Sequence, residues 1–172
     1  MLKQNFRYSV LIICGIILVA FILQFAVDGF TDSFKLVGSE AFTRPWILLT
    51  SIFLHGDIGH ILYNLFALAL FGIILENIIG TRKFLVLFFS SGLIASIISS
   101  FFYTSALGAS GAIYGILGGL VILRPSMQIW LYYVPMPMYF AGLVYIIINL
   151  FGAYFGIGNT GYIAHLSGLV VG

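Results

Sequence analysis

The sequence predicts an all-α, polytopic membrane protein that folds as a single domain over residues 1–172. Hydrophobic residues make up 62% of the chain and charged residues only 7%, whereas a soluble domain has about a quarter of its residues charged. Long apolar runs recur along the chain, and such runs cross a hydrocarbon core about 30 Å thick as helices. The net charge of +2 is too small to indicate a nucleic-acid partner, and we expect none.

Six apolar segments are candidates for transmembrane helices. They cover residues 9–27, 58–79, 84–103, 110–123, 138–155 and 160–172. The first segment is longer than the apolar region of a signal peptide and no small-residue cleavage site follows it, so we expect a retained anchor. The last segment has 13 residues, about 20 Å of helix. This predicts that the sixth helix is incomplete and continues beyond the sequence given.

The basic residues predict a cytoplasmic N-terminus. Cytoplasmic loops of membrane proteins carry the excess of Lys and Arg, and in this orientation five basic residues are cytoplasmic and two are external. The cytoplasmic set is Lys3, Arg7, Arg82, Lys83 and Arg124, and the external pair is Lys35 and Arg44. We therefore expect a multi-pass protein of the cell membrane, with membrane lipid around it.

The long connection over residues 28–55 is external in this orientation. It contains the apolar stretch 45–49, which predicts that this first external loop is partly embedded in the membrane. Trp46 and Phe53 suit an interfacial position, and an ordinary aromatic belt explains them equally well.

One serine and one histidine lie at similar depths in the predicted bundle. The segment that starts at Ser110 has 14 residues, about 21 Å of helix and roughly 9 Å less than the hydrocarbon core, so Ser110 should lie below the outer surface. His165 should lie about 7 to 8 Å below the same surface. Small residues recur every four positions on both segments and allow close approach. They are Gly111, Gly115 and Gly119, and Ala164, Gly168 and Gly172. We expect the hydroxyl and the imidazole to meet.

A second polar cluster lies at the external start of the second segment. His60 and Asn64 are spaced i, i+4 and share a helix face, near the expected depth of Ser110. An Asn amide, a His N–H and the backbone N–H of Ser110 are donors of the kind that stabilise an oxyanion in acyl transfer. A zinc site that includes His55 is the rival interpretation. No intramembrane carboxylate accompanies these histidines at that side, and the His-Glu-x-x-His motif is missing, so we expect no metal.

The serine and the last histidine also have simpler explanations. A serine at a glycine-rich helix start is commonly an N-cap or a packing residue. An intramembrane histidine can be an interhelical hydrogen-bond donor, a haem or metal ligand, or a proton carrier. On the residues alone these alternatives stay open.

Three motifs in this order along the chain resemble those of the rhomboid intramembrane serine proteases. They are His60-Ile61-Leu62-Tyr63-Asn64, Gly108-Ala109-Ser110-Gly111 and Ala164-His165-Leu166-Ser167-Gly168. The resemblance implies a six-helix bundle and a Ser/His dyad, with Ser110 as nucleophile and His165 as general base. It also implies an oxyanion hole formed by His60, Asn64 and the backbone of Ser110, and no cofactor.

The resemblance also covers supporting residues. Tyr114 occupies the position at which the family packs an aromatic ring on the catalytic imidazole. The other supporting residues are Gly108, Gly111, Gly168 and His55.

Two observations concern residues outside those motifs. No Asp or Glu is placed to complete a triad, and Glu76 matches a family position with a structural hydrogen-bonding role. Family members often have Trp-Arg in the first external loop, whereas here Trp46 is followed by Ile47 and the nearest arginine is Arg44. This departure predicts a different anchoring of the loop and leaves the dyad unaffected.

The function implied by the resemblance is endoproteolysis within the membrane through an acyl-enzyme, with transmembrane segments of other proteins as substrates and cleavage near the outer face. A substrate helix must unwind to reach Ser110, which favours helix-weakening residues near the cut. The alternative is a non-catalytic rhomboid-like protein that binds transmembrane helices, although such relatives lack Ser or His at the dyad. A third class, a small transporter or haem protein using His55, His60 and His165, would show metal or Soret absorption.

Overall fold

The computed structural model describes residues 8–131 and 133–172. Lys3 and Arg7, two of the basic residues that predict a cytoplasmic N-terminus, lie outside the described residues. In chain order the helices are α1 (Ser9–Ala26), α2 (Phe30–Phe34), α3 (Ile47–Thr50), α4 (Ile58–Ala67), α5 (Ile73–Ile79), α6 (Thr81–Phe102), α7 (Ser110–Leu123), α8 (Met138–Phe155) and α9 (Tyr162–Val171). The strands are β1 (Leu36–Val37), β2 (Ser105–Ala106), β3 (Gln128–Leu131) and β4 (Val134–Pro137).

Each predicted apolar segment is helical, and the chain is a multi-pass membrane protein. A π-helical stretch, Leu68–Gly72, joins α4 and α5 into one continuous helix. Among the described residues, four helices are long and apolar enough to cross a membrane: Ser9–Ala26, Ile58–Ile79, Thr81–Phe102 and Met138–Phe155. Because α7 and α9 are shorter apolar helices, the count of six spans stays a prediction.

The start of α6 differs from the predicted start at residue 84. Gly80 has a φ of +91°, which favours glycine, and it ends α5. α6 begins at the next residue, so Arg82 and Lys83 lie exposed in its first turn. The apolar run is shorter than this helix, because the first turn of the helix consists of polar and charged residues that precede the run.

The connection between α1 and α4 packs against the helices. β1 pairs antiparallel with β2, which places Leu36 opposite Ala106. Four apolar residues of the connection form a buried cluster, against which Ile97 of α6 packs: Leu36, Ala41, Ile47 and Leu48. The stretch 45–49 is therefore partly buried inside the protein, while Trp46 is half exposed. Embedding of this loop in the membrane stays a prediction.

Arg44 organises this connection. Its guanidinium donates to the Glu40 carboxylate at 2.5 Å and to the Ser33 carbonyl at 2.7 Å. It also lies 5.6 Å from the centre of the Trp46 ring, within the range of a cation–π interaction. Arg44 thus contacts Trp46 although it precedes the tryptophan by two positions. In the Trp-Arg pair of the family the arginine follows the tryptophan directly.

Glu76 connects three helices through hydrogen bonds. Its buried carboxylate accepts hydrogen bonds from the Ser9 hydroxyl at 2.5 Å and the Thr81 hydroxyl at 2.7 Å. These partners lie at the starts of α1 and α6, while Glu76 itself belongs to α5. The structural hydrogen bonding implied for this residue is confirmed.

α7 lies between α6 and α9 and is buried along most of its length. An added Cβ at Gly111 would lie 2.5 Å from the Cβ of Ala95, and one at Gly115 would overlap the Ser91 side chain. Helices in lipid associate through close packing, for which small residues are suited. The glycines of α7 therefore explain its central position.

Between α7 and α8 the chain forms a hairpin that was not predicted from the sequence. β3 and β4 pair antiparallel, with Gln128 opposite Pro137 and Leu131 opposite Val134. The hairpin leads directly into α8 at Met138.

Candidate active site

A glycine shapes the loop that brings Ser110 to the start of α7. Gly108 has a φ of +126°, a conformation that favours glycine. Its N–H donates to the Ser51 carbonyl at 2.9 Å, and an added Cβ would lie 2.8 Å from Cε1 and Nε2 of His60. Both the backbone conformation and the close approach of His60 require glycine here. Ser110 is the first residue of α7, where helix N–H groups have no acceptor within the helix.

Ser110 and His165 meet because α7 and α9 pack backbone against backbone. An added Cβ at Gly168 would overlap the Gly111 carbonyl, so only hydrogen at this position permits the observed approach. The glycine pairs of this contact are Gly111 with Gly168 and Gly115 with Gly172. At this separation the Nε2 of His165 lies 2.8 Å from the Oγ of Ser110. The proximity expected from helix depth and glycine spacing is confirmed.

Tyr114 covers one face of the imidazole. The rings of Tyr114 and His165 stack, with centroids 4.3 Å apart and planes inclined by 9°, as the family resemblance implied. The first turn of α9 is held separately, because the Ile163 N–H donates to the Tyr103 hydroxyl at 3.0 Å.

Asn149 of α8 contacts the other imidazole nitrogen. Its Oδ1 lies 2.9 Å from the Nδ1 of His165. Its Nδ2 donates to the Tyr145 carbonyl at 2.8 Å and to the Tyr114 hydroxyl at 3.1 Å. The residue is 1% exposed, and each of its side-chain polar atoms has a partner. The imidazole is therefore held by a stacked ring and by hydrogen bonds at both nitrogens.

Asn149 was not predicted as a partner of His165, because it is an amide and not the carboxylate expected to orient a catalytic histidine. A signal was present: Asn149 is the single amide in the apolar segment 138–155, which has no charged residue. Polar side chains within transmembrane segments usually face the bundle interior and find partners there.

His60 lies beside the loop that carries Ser110, at the start of α4. The Asp57 carboxylate caps this helix by accepting the His60 N–H at 2.8 Å. The Gly56 N–H donates to the Nδ1 of His60 at 3.4 Å, so the proton of the neutral ring lies on Nε2. That nitrogen is the one near Gly108.

Asn64 shares the His60 face of α4, as its spacing predicted. Its Nδ2 donates to the His60 carbonyl at 2.8 Å. Its buried Oδ1 has no hydrogen-bond partner among the described residues. The structure thus pairs Asn64 with His60, and its approach to the serine stays a prediction.

His55 supports the residue that precedes Ser110. The Gln24 amide of α1 accepts the His55 N–H at 3.0 Å and donates to the His55 carbonyl at 3.1 Å. The His55 Nε2 accepts the Ala109 N–H at 3.5 Å, and its ring meets that of His60 edge-on, with centroids 4.9 Å apart. Gln24 was not identified from the sequence because nothing in the apolar first segment indicated its partner.

The His55 imidazole is neutral at pH 7. The residue lies in the connection before α4, outside the membrane-spanning helices, and burial lowers its pKa to about 4, with a further lowering by neighbouring His60. Because Nε2 accepts a hydrogen bond, the proton of the neutral ring lies on Nδ1. A hydrogen bond to the Phe53 backbone partly offsets the lowering of the pKa.

Metal binding was the rival interpretation of the histidines. Across residues 8–131 and 133–172, no three His, Cys, Asp or Glu side chains come together in an arrangement that could hold a metal ion. The absorption spectrum of the purified protein is the measurement that decides this point.

Comparisons with known proteins agree in pointing to one family. The family model described as Rhomboid domain matches residues 43–172. Rhomboid protease GluP of Bacillus subtilis (strain 168) is 38% identical over 130 residues, which is 74% of this chain and 24% of GluP. Rhomboid protease GlpG of Haemophilus influenzae is 30% identical over 134 residues, 77% of this chain and 69% of GlpG.

A mitochondrial relative extends the similarity. Rhomboid protein 1, mitochondrial, of Saccharomyces cerevisiae is 30% identical over 153 residues, 83% of this chain and 44% of that protein. The chain thus spans less than half the length of this protein and of GluP.

Proposed function

Because this chain belongs to the rhomboid family, we propose that it is an intramembrane serine endopeptidase of the cell membrane, with Ser110 as nucleophile and His165 as general base. It spans the membrane six times, with its N-terminus in the cytoplasm. The observation that carries the proposal is the distance of 2.8 Å between the Ser110 Oγ and the His165 Nε2. At this distance a hydroxyl can pass its proton to a base as it attacks.

Acylation begins when the Ser110 Oγ attacks a peptide carbonyl carbon and the His165 Nε2 takes the hydroxyl proton. The tetrahedral intermediate collapses as Nε2 returns this proton to the leaving amine and the C–N bond breaks. Water then attacks the acyl-enzyme by the same route, which restores both side chains. Stacking on Tyr114 keeps the imidazole plane in place during these transfers.

Three donors serve the oxyanion in this proposal: the Ser110 backbone N–H, the His60 Nε2–H and the Asn64 amide. Support comes from the start of α7, where N–H groups have no acceptor within the helix, and from the Gly56 hydrogen bond that leaves the proton of His60 on Nε2. The Asn64 amide nitrogen carries two hydrogens, one of which is used on the His60 carbonyl. Removing one oxyanion donor costs about 3 kcal/mol of transition-state stabilisation.

The substrate is a transmembrane segment of another membrane protein. Its backbone must leave the helix to reach Ser110, because a helical carbonyl is hydrogen-bonded and shielded by side chains. Residues that weaken helices, such as Gly and Pro, therefore favour cleavage. Since Ser110 starts a short helix on the proposed outer side, the cut lies near the outer end of the substrate.

A fluorophosphonate probe tests the nucleophile directly, because it reacts with an activated serine. We expect the wild type to be labelled, and Ser110→Ala and His165→Ala to be unlabelled while remaining folded. Cleavage of a single-span substrate in vesicles, with the products mapped by mass spectrometry, tests the position of the cut. Unchanged labelling of Ser110→Ala, or a product cut at the cytoplasmic end, would contradict the proposal.

Two other functions give different results in the same experiments. A non-catalytic protein that binds transmembrane helices would retain the substrate but yield neither label nor product. A haem or metal protein would show Soret or metal absorption on purification.

A further inference from the structure

The hydrogen bonds around His165 form a directed chain that continues beyond the imidazole. We propose that Asn149 is a positioning residue that completes a Ser–His–Asn triad in this chain. The inference rests on the proposed function, because it assigns a task to a residue that contacts the general base and not the substrate.

The orientation of the Asn149 amide follows from its partners. A carbonyl oxygen only accepts hydrogen bonds, so the atom 2.8 Å from the Tyr145 carbonyl must be the nitrogen. The oxygen of the same amide therefore points to the Nδ1 of His165, 2.9 Å away. Exchanging the two atoms would bring two acceptors together at Tyr145, which a residue 1% exposed cannot offset with solvent.

This orientation selects one tautomer of His165. Because the Asn149 oxygen only accepts, Nδ1 must carry the proton, and the lone pair of the neutral ring is left on Nε2. Nε2 is the atom 2.8 Å from the Ser110 Oγ, so it accepts the serine proton. The backbone carbonyl of Tyr145 thus sets the direction of every hydrogen bond as far as the nucleophile.

Tyr114 alone cannot supply this selection. Stacking at 4.3 Å with planes inclined by 9° fixes the plane of the imidazole. A half-turn of the ring about the Cβ–Cγ bond keeps the same plane and exchanges Nδ1 with Cδ2, so stacking allows both orientations. Stacking also does not distinguish the two tautomers. The hydrogen bond to Asn149 removes both freedoms, because only one nitrogen of one tautomer satisfies it.

The amide also differs from the carboxylate of a Ser-His-Asp triad. It is uncharged, so it acts by orientation and tautomer selection without placing a full negative charge beside the imidazole. An unpaired carboxylate buried at this position would carry a large desolvation cost. An amide takes the same place in the Cys-His-Asn arrangement of papain-like proteases.

The test uses the full chain in bilayers with two substitutions at Asn149. Asn149→Leu keeps a similar volume without an acceptor. Asn149→Asp has the same shape and, held as the neutral acid in this buried position, can accept at Nδ1 and donate to the Tyr145 carbonyl. Asn77→Leu on α5, at an exposed position, is the control for the same chemical change. For each variant, kcat and KM on a single-span substrate, the fluorophosphonate labelling rate and thermal stability are measured.

We expect Asn149→Leu to lower kcat and the labelling rate about a hundredfold, the scale of a misplacement of about 1 Å. KM should stay within about twofold of the wild type, because Asn149 contacts His165 and not the substrate. Its loss therefore leaves the binding of the substrate ground state unchanged. Asn149→Asp should recover at least tenfold of the loss, and Asn77→Leu should match the wild type. A folded Asn149→Leu that keeps wild-type kcat overturns the proposal.

A second measurement needs no variant at Asn149. Solid-state ¹⁵N NMR of histidine-labelled protein reports which ring nitrogen is protonated, with the His165 signals assigned by their loss in His165→Ala. The Nδ1–H tautomer is expected in the wild type, and the Nε2–H tautomer overturns the proposal even if Asn149→Leu fails to fold.

The two proposals fail in different ways. If labelling persists in Ser110→Ala, the protease assignment is wrong, whatever tautomer NMR reports. If only Ser110→Ala and His165→Ala lose labelling while Asn149→Leu keeps it, the protease assignment stands and the role of Asn149 is wrong.

Discussion

α7 and α8 are both strongly apolar helices, yet they are packed in opposite ways. α7 is buried along most of its length, with its glycines against α6 and α9. α8 buries few of its 18 residues: Met138, Ala141, Gly142, Asn149 and Gly152. Its Leu, Ile and Phe side chains are largely exposed.

The difference shows what decides burial in a membrane. Lipid is as apolar as a protein interior, so a large apolar side chain gains little by turning inward. Close packing of small residues and satisfaction of polar groups decide which face is buried instead. On α8 the single amide identifies the inward face, and on α7 the glycines do.

The largest expected effect contrasts one isoleucine from each helix. Ile116 of α7 is 0% exposed and Ile147 of α8 is 55% exposed. Ile116→Ala should lower the free energy of unfolding by about 2–5 kcal/mol, because it leaves a cavity, whereas Ile147→Ala should change it by less than about 0.5 kcal/mol. Unfolding in mixed detergent micelles measures both, and equal losses would show that the two positions do not differ in burial.

A methyl group added to the α7–α9 contact tests its tightness. In Gly168→Ala the new Cβ overlaps the Gly111 carbonyl, and we expect a loss of about 1–3 kcal/mol in stability. Separation of the helices should also slow fluorophosphonate labelling at least tenfold, since about 1 Å of misplacement suffices. Gly15→Ala is the matched control, because an added Cβ there meets nothing within 4 Å. Undiminished labelling of Gly168→Ala would contradict the close contact.

The contribution of His55, next to α7, to the free energy of unfolding should depend on pH, whereas that of Asn149 on α8 should not. His55 contacts the residue before α7, and its pKa of about 4 in the folded protein lies below the ordinary 6.5. The unfolded chain therefore binds a proton at higher pH, and stability that is complete above pH 6.5 is lost as the pH falls towards 4. Asn149 of α8 does not titrate.

Between pH 7.5 and pH 5 this linkage should lower the free energy of unfolding by about 2 kcal/mol. His55→Gln should reduce the total pH-dependent loss by about 2 kcal/mol, and Asn149→Leu should lower stability equally at both pH values. Thermal unfolding in micelles at the two pH values is the measurement. An unaltered pH dependence in His55→Gln would show that another group is responsible.

The smallest expected effect concerns the contact between the two helices. Tyr114→Phe keeps the ring on His165 and removes the hydroxyl that accepts from Asn149, for an expected loss of about 0.5–1.5 kcal/mol in stability. Its labelling rate should fall far less than that of Tyr114→Ala, which also loses the stacked ring. If the two variants lost labelling equally, the hydroxyl would matter more than the stacking.

Several features of the fold could be predicted because they depend on local composition. Residues 58–79, 110–123 and 138–155 have the same bounds as apolar segments and as helices. The connection between α1 and α4 could not be predicted, because its short elements depend on contacts distant in sequence, such as that of Leu36 with Ala106. Arg44 could not be assigned to Trp46 for the same reason.

In the candidate site, too, the features that depend on local sequence could be predicted, and those that depend on tertiary contacts could not. The pairing of Ser110 with His165 followed from motifs, segment lengths and the rise of a helix, all of which are local properties. The approach of α9 to α7 followed from the spacing of glycines. Asn149 did not follow, because its contact with His165 requires the rotation of α8 about its own axis, which hydropathy leaves undetermined.

The sequence by itself determined the class of the protein and the bounds of most helices, because lipid imposes its requirements on segment length and polarity. Only the tertiary structure decided that Asn149 contacts the Nδ1 of the imidazole that Tyr114 covers. The physical reason is that in an apolar solvent the rotation of each helix depends on contacts with its neighbours, and those contacts exist only after the helices have packed.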